Sequence, residues 1–186
     1  MQKMQRRNKL ILISVIVLLL TVGIDLYTKG LILKYMALYS TTDVFGGFLS
    51  FVHSKNYGAA FSFLNGSPDW FRKPFFVIVP LLAMGLIVFI MIKGKNSVIN
   101  IVAFSMILGG ALGNFISRNI YGFVTDFIDV KLSSTYHWPT FNVADIAITI
   151  GVFIVFIGMI KVEAARKRKI AETKKPKKTK KIKNKK

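Results

Sequence analysis

The sequence predicts a membrane α-helical fold. It has four transmembrane helices with both termini cytoplasmic, a small extracytoplasmic β-sheet region and a short interfacial helix. Three observations predict it. Hydrophobic residues make up 53% of the 186-residue chain, and its mean hydropathy is +0.50. The formal net charge is nevertheless +19, and fourteen of the 27 basic residues lie at or beyond Lys161, so charge and apolarity occupy different stretches. Between the apolar runs, basic residues cluster at the N-terminus, at 93–95 and in the tail, the side of a membrane that stays cytoplasmic.

Residues 10 to 27, LILISVIVLLLTVGIDLY, follow Lys3, Arg6, Arg7 and Lys9. No small-x-small cleavage pattern follows the apolar run, so the stretch is expected to be an uncleaved first transmembrane helix. Asp25 and Lys29 stand four apart near its end, on one helix face, where they can form an interfacial ion pair. Residues 30 to 73 are mixed. FGGFLSFVHSKNYGAAFSFLNG alternates as strands do, with Gly46, Gly47 and Gly58 at turns or close approaches. SPDWFRKPFF mixes Trp70 and Phe71 with Arg72 and Lys73, which suits a short interfacial helix at headgroup level.

Residues 74 to 92 form a second span of about the ~20 residues a bilayer requires. Pro80 would kink it unless it falls in the first turn. After the basic turn KGKNS, residues 97 to 116 form the third span, whose GGALG admits close approach by another helix. Residues 144 to 160 form the fourth. The connections 29–73 and 117–143 then face outward. The chain thus reads as one membrane domain, 1–162, followed by a disordered Lys-rich cytoplasmic tail, 163–186. That tail has no interleaved aromatics to stack on bases, so anionic lipid headgroups are its expected partner and nucleic acid is not.

Chemistry concentrates between Gly109 and Gly151, which hold Asp126, Asp129 and Asp145 of only eight acidic residues. Asp145 opens the fourth span, and a carboxylate at such a boundary marks a functional site. Two carboxylates meeting there would share a proton, making a water-activating acid–base pair. Asp126 and Asp129 lie in the β-prone FVTDFID and would point to opposite faces of a strand, so at most one of them easily faces Asp145. The absence of cysteine excludes disulfides and thiolate chemistry. No metal-ligand cluster stands out, and the two histidines, His53 and His137, read as isolated interfacial residues. Ser117 beside Arg118 has no base placed to activate it. Asn56, Asn114 and Asn142 recur in turn-like settings, where each can hold a peptide backbone or orient a carboxylate. Asn142 can also cap the fourth helix.

The ordered series DLYTK, NYGAAF, GNFISR, VTDFID and FNVAD, threaded through four spans across residues 10 to 162, resembles the lipoprotein signal peptidases, or type II signal peptidases. The resemblance implies an intramembrane aspartic endopeptidase of the bacterial plasma membrane, with its active site at the outer face. It implies removal of the signal peptide from prolipoproteins before a cysteine that already carries diacylglycerol. Carried over by motif, the catalytic pair falls on Asp126 and Asp145. The supporting residues fall on Asp25, Lys29, Asn56, Gly58, Asn114, Arg118 and Asn142. No metal or cofactor is implied, and the expected state is a monomer whose partners are the diacylglyceryl-modified substrate and membrane lipids. Two positions depart from the family pattern. Leu26 stands at a usually polar site in DLYTK. Ser117 replaces an aspartate in GNFISR, keeping a hydrogen-bonding group beside Arg118 without the charge. Other readings are a weakened relative that only binds lipidated peptides, a small channel or transporter, and a tethering protein acting through its basic tail.

Overall fold

The computed structural model describes residues 2–58, 68–94 and 96–174. Helix α1 (Gln2–Tyr35) leads into a hairpin, β1 (Thr41–Phe45) and β2 (Leu49–Asn56). Helices α2 (Asp69–Lys93) and α3 (Val98–Tyr121) follow, then strands β3 (Val124–Lys131) and β4 (His137–Phe141), and finally α4 (Val143–Lys174). All four helices are long and apolar enough to cross a membrane. The strands form one antiparallel sheet in the order β1-β2-β3-β4.

Small residues make α3 the hub. It packs extensively against α1 and α4 and less against α2, and 44% of its most apolar stretch is buried against 6% in α1 and in α2. A Cβ on Gly113 would collide with the carboxylate of Asp25 in α1, and one on Gly151 of α4 would lie 2.6 Å from the Ala103 carbonyl of α3. Only glycine lets the helix backbones approach this closely. Helix α3 stops at Gly122, whose φ of 78° is the left-handed conformation that lets its N–H return to the Arg118 carbonyl. Strand β3 therefore starts immediately above the helix, which sets Asp126 over the bundle.

The largest fully buried side chains are polar: Lys29, Asn142, Thr125 and Asp25, with Ser105 and Ser117. Apolar side chains such as Leu19 and Leu20 of α1, Leu82 and Phe89 of α2 and Phe153 of α4 point outward instead. That inversion suits a solvent of hydrocarbon, where apolar surface needs no cover and buried polar groups must satisfy one another.

Several sequence expectations are corrected. Helix α1 runs on to Tyr35, so residues 30–35 are helical rather than mixed. The aromatic–basic segment from Asp69 is not a separate interfacial helix but the first turns of α2, which includes both Pro74 and Pro80. Helix α3 extends to Tyr121, placing Ser117 and Arg118 inside it rather than in a connection. Helix α4 continues to Lys174, so residues 163–174 are helical where a disordered tail was expected. Lys and Arg are good helix formers, and an established helix propagates into such sequence at little expense. The expected strand character of residues 59–66 and the disorder of 175–186 lie outside the described residues.

Candidate active site

Local chemistry places each polar group. Asn142 precedes α4, and its Oδ1 accepts the Asp145 N–H at 3.1 Å while the Asp145 Oδ2 accepts the Asn142 N–H at 3.1 Å. This reciprocal cap satisfies two helix-end groups and fixes the Asp145 carboxylate at the positive end of the helix dipole. Asp126 lies on β3 opposite Ser54, in the register that also sets Asn56 opposite Val124. Its two oxygens accept from different elements: Asn56 Nδ2 at 2.9 Å and Asn142 Nδ2 at 2.7 Å. Asn142 thus touches both carboxylates, one through its side chain and one through its backbone.

A second arm rises from α1. Lys29 Nζ donates to Asp25 Oδ2 at 2.7 Å and to Asn114 Oδ1 at 2.7 Å. Asn114 Nδ2 passes the interaction on to Asp145 Oδ1 at 2.9 Å, and the other Asp25 oxygen accepts the Ala144 N–H at 2.9 Å. The pair expected to be interfacial is buried, Asp25 at 0% and Lys29 at 2% exposure. The third arm runs through the end of β2. Arg118 Nη2 donates to the Gly58 carbonyl at 2.7 Å, and the Gly58 N–H donates to Asn56 Oδ1 at 2.9 Å. The Arg118 guanidinium stacks 4.4 Å from the Phe76 ring centroid, which ties α2 to the site.

All nine residues singled out from the sequence fall on this one continuous network. Each asparagine amide also has its orientation fixed, because its Oδ1 accepts from Gly58, Lys29 or the Asp145 backbone. Only the NH₂ ends are left to face the carboxylates. Burial pushes the Asp126 carboxyl up to about 6, and the nearby Asp145 charge adds to the rise. The donors Asn56 and Asn142 and the Lys29 charge pull the other way but do not prevail.

Other candidates stand apart. Asp129 belongs to a different pair, with His137 Nδ1 2.8 Å from its Oδ2, so His137 is not the isolated residue the sequence suggested. His53 is buried and its Nδ1 lies 2.9 Å from the Met36 carbonyl, tying β2 to the end of α1. Ser117 is 1% exposed, and among the described residues neither its Oγ nor Arg118 Nε has a hydrogen-bond partner. Nor do those residues contain a group of three or more His, Asp or Glu able to hold a metal. Sequence reasoning missed Phe76 and the Ala144 N–H. A phenylalanine in an apolar span and a backbone amide carry no local signal of such a role.

Comparison with known proteins gives this arrangement a context. The family model described as signal peptidase (SPase) II matches residues 16–161. A lipoprotein signal peptidase of Syntrophus aciditrophicus is 41% identical over 150 residues, 78% of this chain and 92% of that protein. Another of the same description, from Staphylococcus carnosus, is 42% identical over 149 residues, 78% of this chain and 90% of its own. Among solved structures, a bacterial membrane enzyme determined at 2.3 Å superposes with a TM-score of 0.72 at 33% identity, covering 80% of this chain and 87% of that one. A second, determined at 1.9 Å, gives 0.70 at 33% identity, covering 80% and 92%.

Proposed function

Because the chain belongs to the signal peptidase II family of bacterial membrane peptidases that process prolipoproteins, we propose that it is an aspartic endopeptidase working through Asp126 and Asp145. Its substrate is a prolipoprotein whose cysteine carries diacylglycerol, cut on the N-terminal side of that cysteine. The observation that carries the reading is the convergence of the two carboxylates on Asn142. A strand residue and a helix residue nineteen positions apart are thereby held as one unit. Burial raises the carboxyl of Asp126, the deeply buried member, to about 6, the direction that favours it as the acid of the pair. Asp145, held by the Asn114 and Asn142 donors at a helix N-terminus, is the base.

Asp145 takes a proton from water as its oxygen attacks the scissile carbonyl, and the Asp126 carboxyl hydrogen-bonds that carbonyl. The tetrahedral intermediate collapses as a carboxyl returns a proton to the leaving amine. General acid–base help of this kind is worth about 10²–10⁴-fold in rate. Both termini lie on the cytoplasmic side, which follows from the basic residues that flank the outermost spans. The carboxylate layer then faces outward, where lipidated substrate is presented. The enzyme acts as a monomer, and the substrate's acyl chains stay in lipid beside the bundle.

The test is cleavage of a diacylglyceryl-modified peptide and its unmodified counterpart by the parent, Asp126→Asn and Asp145→Asn. The expected outcome is cleavage of the lipidated peptide by the parent alone. Retained turnover in either variant would remove the pair from the chemistry.

A further inference from the structure

The two helices that carry the ends of the polar network also carry basic residues at matching distances below it. Sixteen residues separate Lys9 from Asp25 in α1, and sixteen separate Asp145 from Lys161 in α4. At 1.5 Å per helical residue each interval is about 24 Å. The hydrogen bond from the Ala144 N–H to Asp25 brings Asp25, ten residues before the end of α1, and the first turn of α4 to one level. Lys9 and Lys161 therefore lie at one depth on the opposite side of the bundle, separated from the carboxylates by a little less than the ~30 Å of a hydrocarbon core.

More charge gathers at this depth and just beyond it. Arg6 and Arg7 precede Lys9 in α1, and Arg166, Lys167 and Arg168 follow Lys161 in α4, all exposed. Lys93 ends α2. Glu163 lies 4.0 Å from Arg166 and 3.9 Å from Lys167, so it offsets only part of this charge. The sequence beyond Arg168 adds ten lysines. Because α4 is continuous from Val143 to Lys174, Asp145 and the basic residues Lys161 and Arg166 to Arg168 sit on one unbroken helix.

We propose that the basic ends of α1 and α4 form a binding surface for anionic phospholipid headgroups of the leaflet opposite the carboxylates, and that this surface sets the depth of the site in the bilayer. Flexible polybasic tails bind such leaflets wherever they reach. Here the surface is built on helices of fixed length, so headgroup binding at one face fixes the height of Asp145 at the other. The charge complementarity is direct, and each basic residue near an anionic surface multiplies association by roughly fivefold.

The test uses the full chain in vesicles of phosphatidylcholine containing a minor fraction of spin-labelled phosphatidylglycerol or spin-labelled phosphatidylcholine. The parent is expected to immobilise the anionic lipid severalfold more than the zwitterionic one, and 1 M salt should abolish the difference. Arg7→Gln/Lys9→Gln/Lys161→Gln/Arg166→Gln should lose part of that selectivity, the lysines beyond Arg168 sustaining the remainder. Equal immobilisation of both lipids by the parent, or selectivity unchanged in the variant, would overturn the proposal. So would a short RNA that binds the parent, but not the variant, in vesicles lacking anionic lipid. Peptide cleavage in detergent micelles within twofold of the parent reports that the variant is folded. If the fourfold variant fails there, the Lys9→Gln/Lys161→Gln pair answers the same question. Immobilisation of lipid by the parent is read without substrate, so that result stands whether or not the peptidase assignment holds.

Discussion

Asn142 and Asp145 cap each other across the first turn of α4, while the Asn142 amide reaches over to Asp126 at 2.7 Å. One asparagine therefore starts a helix and spaces two acids. The two roles separate by substitution. Asn142→Ser keeps a good N-cap but is too short to reach β3. Asn142→Ala loses both functions. Asn142→Ala is expected to cost about 1 kcal/mol of stability more than Asn142→Ser. Both should lower kcat by about 10²-fold, the usual effect of a small misplacement of catalytic groups. Thermal unfolding and steady-state kinetics on the same preparations check this. Normal kcat in Asn142→Ser would show that the bridge to Asp126 is dispensable.

Protonation of Asp126 links stability to pH. Its folded carboxyl lies near 6, above the roughly 3.9 of an unfolded chain. Between those values the folded state holds a proton that the unfolded state has released. The stabilising contribution is fully present below about pH 4 and is lost as pH rises through about 6, a change on the order of 3 kcal/mol. The parent should therefore lose thermal stability across this window more steeply than Asp126→Asn, in which nothing titrates at that position. Parallel pH profiles for the two would contradict a buried Asp126 whose carboxyl is raised by its surroundings.

Lys29 neutralises Asp25 and also fixes the orientation of Asn114, so removing it should be felt twice. Lys29→Met leaves a buried carboxylate without its partner and is expected to destabilise by about 3–5 kcal/mol. Adding Asp25→Asn should restore part of that loss, with a coupling of about 0.5–3 kcal/mol. Turnover should stay low in the double variant, because Asn114 no longer has a donor to hold its Oδ1 away from Asp145. Full recovery of kcat would assign Lys29 to charge balance alone.

Ser117 stands where the resemblance leads one to expect an aspartate, and its buried Oγ has no partner among the described residues. Ser117→Ala removes an unsatisfied hydroxyl and no observed bond. It is expected to leave stability within about 1 kcal/mol of the parent or to raise it, with kcat/KM unchanged. A large loss of activity would place this hydroxyl in the catalytic machinery.

How much was legible beforehand differs from residue to residue. The four spans were plain, because a bilayer demands about twenty apolar residues and the chain supplies them four times. The Asp25–Lys29 pair and the Asn142 cap were also readable, since both are interactions within one or two turns of helix. Helix ends were not. Nothing local told that α1 would reach Tyr35, that α3 would contain Arg118, or that α4 would run to Lys174. Polar residues with good helix propensity look alike inside a helix and beyond it. The Asp129–His137 pair was missed because it depends on the register of two strands.

By itself the sequence determined the solvent, the number of crossings and the ordered motifs that mark the candidate residues. Those properties are sums over neighbouring side chains, and they survive whatever the rest of the chain does. Tertiary structure decided which way each asparagine amide faces, that Asp25 and Lys29 are buried rather than interfacial, and that Asp126 and not Asp129 shares a partner with Asp145. These outcomes depend on groups far apart along the chain, held together by close packing of small residues on α3. An amide has no preferred direction until a lysine or a backbone N–H from another segment fixes one end of it.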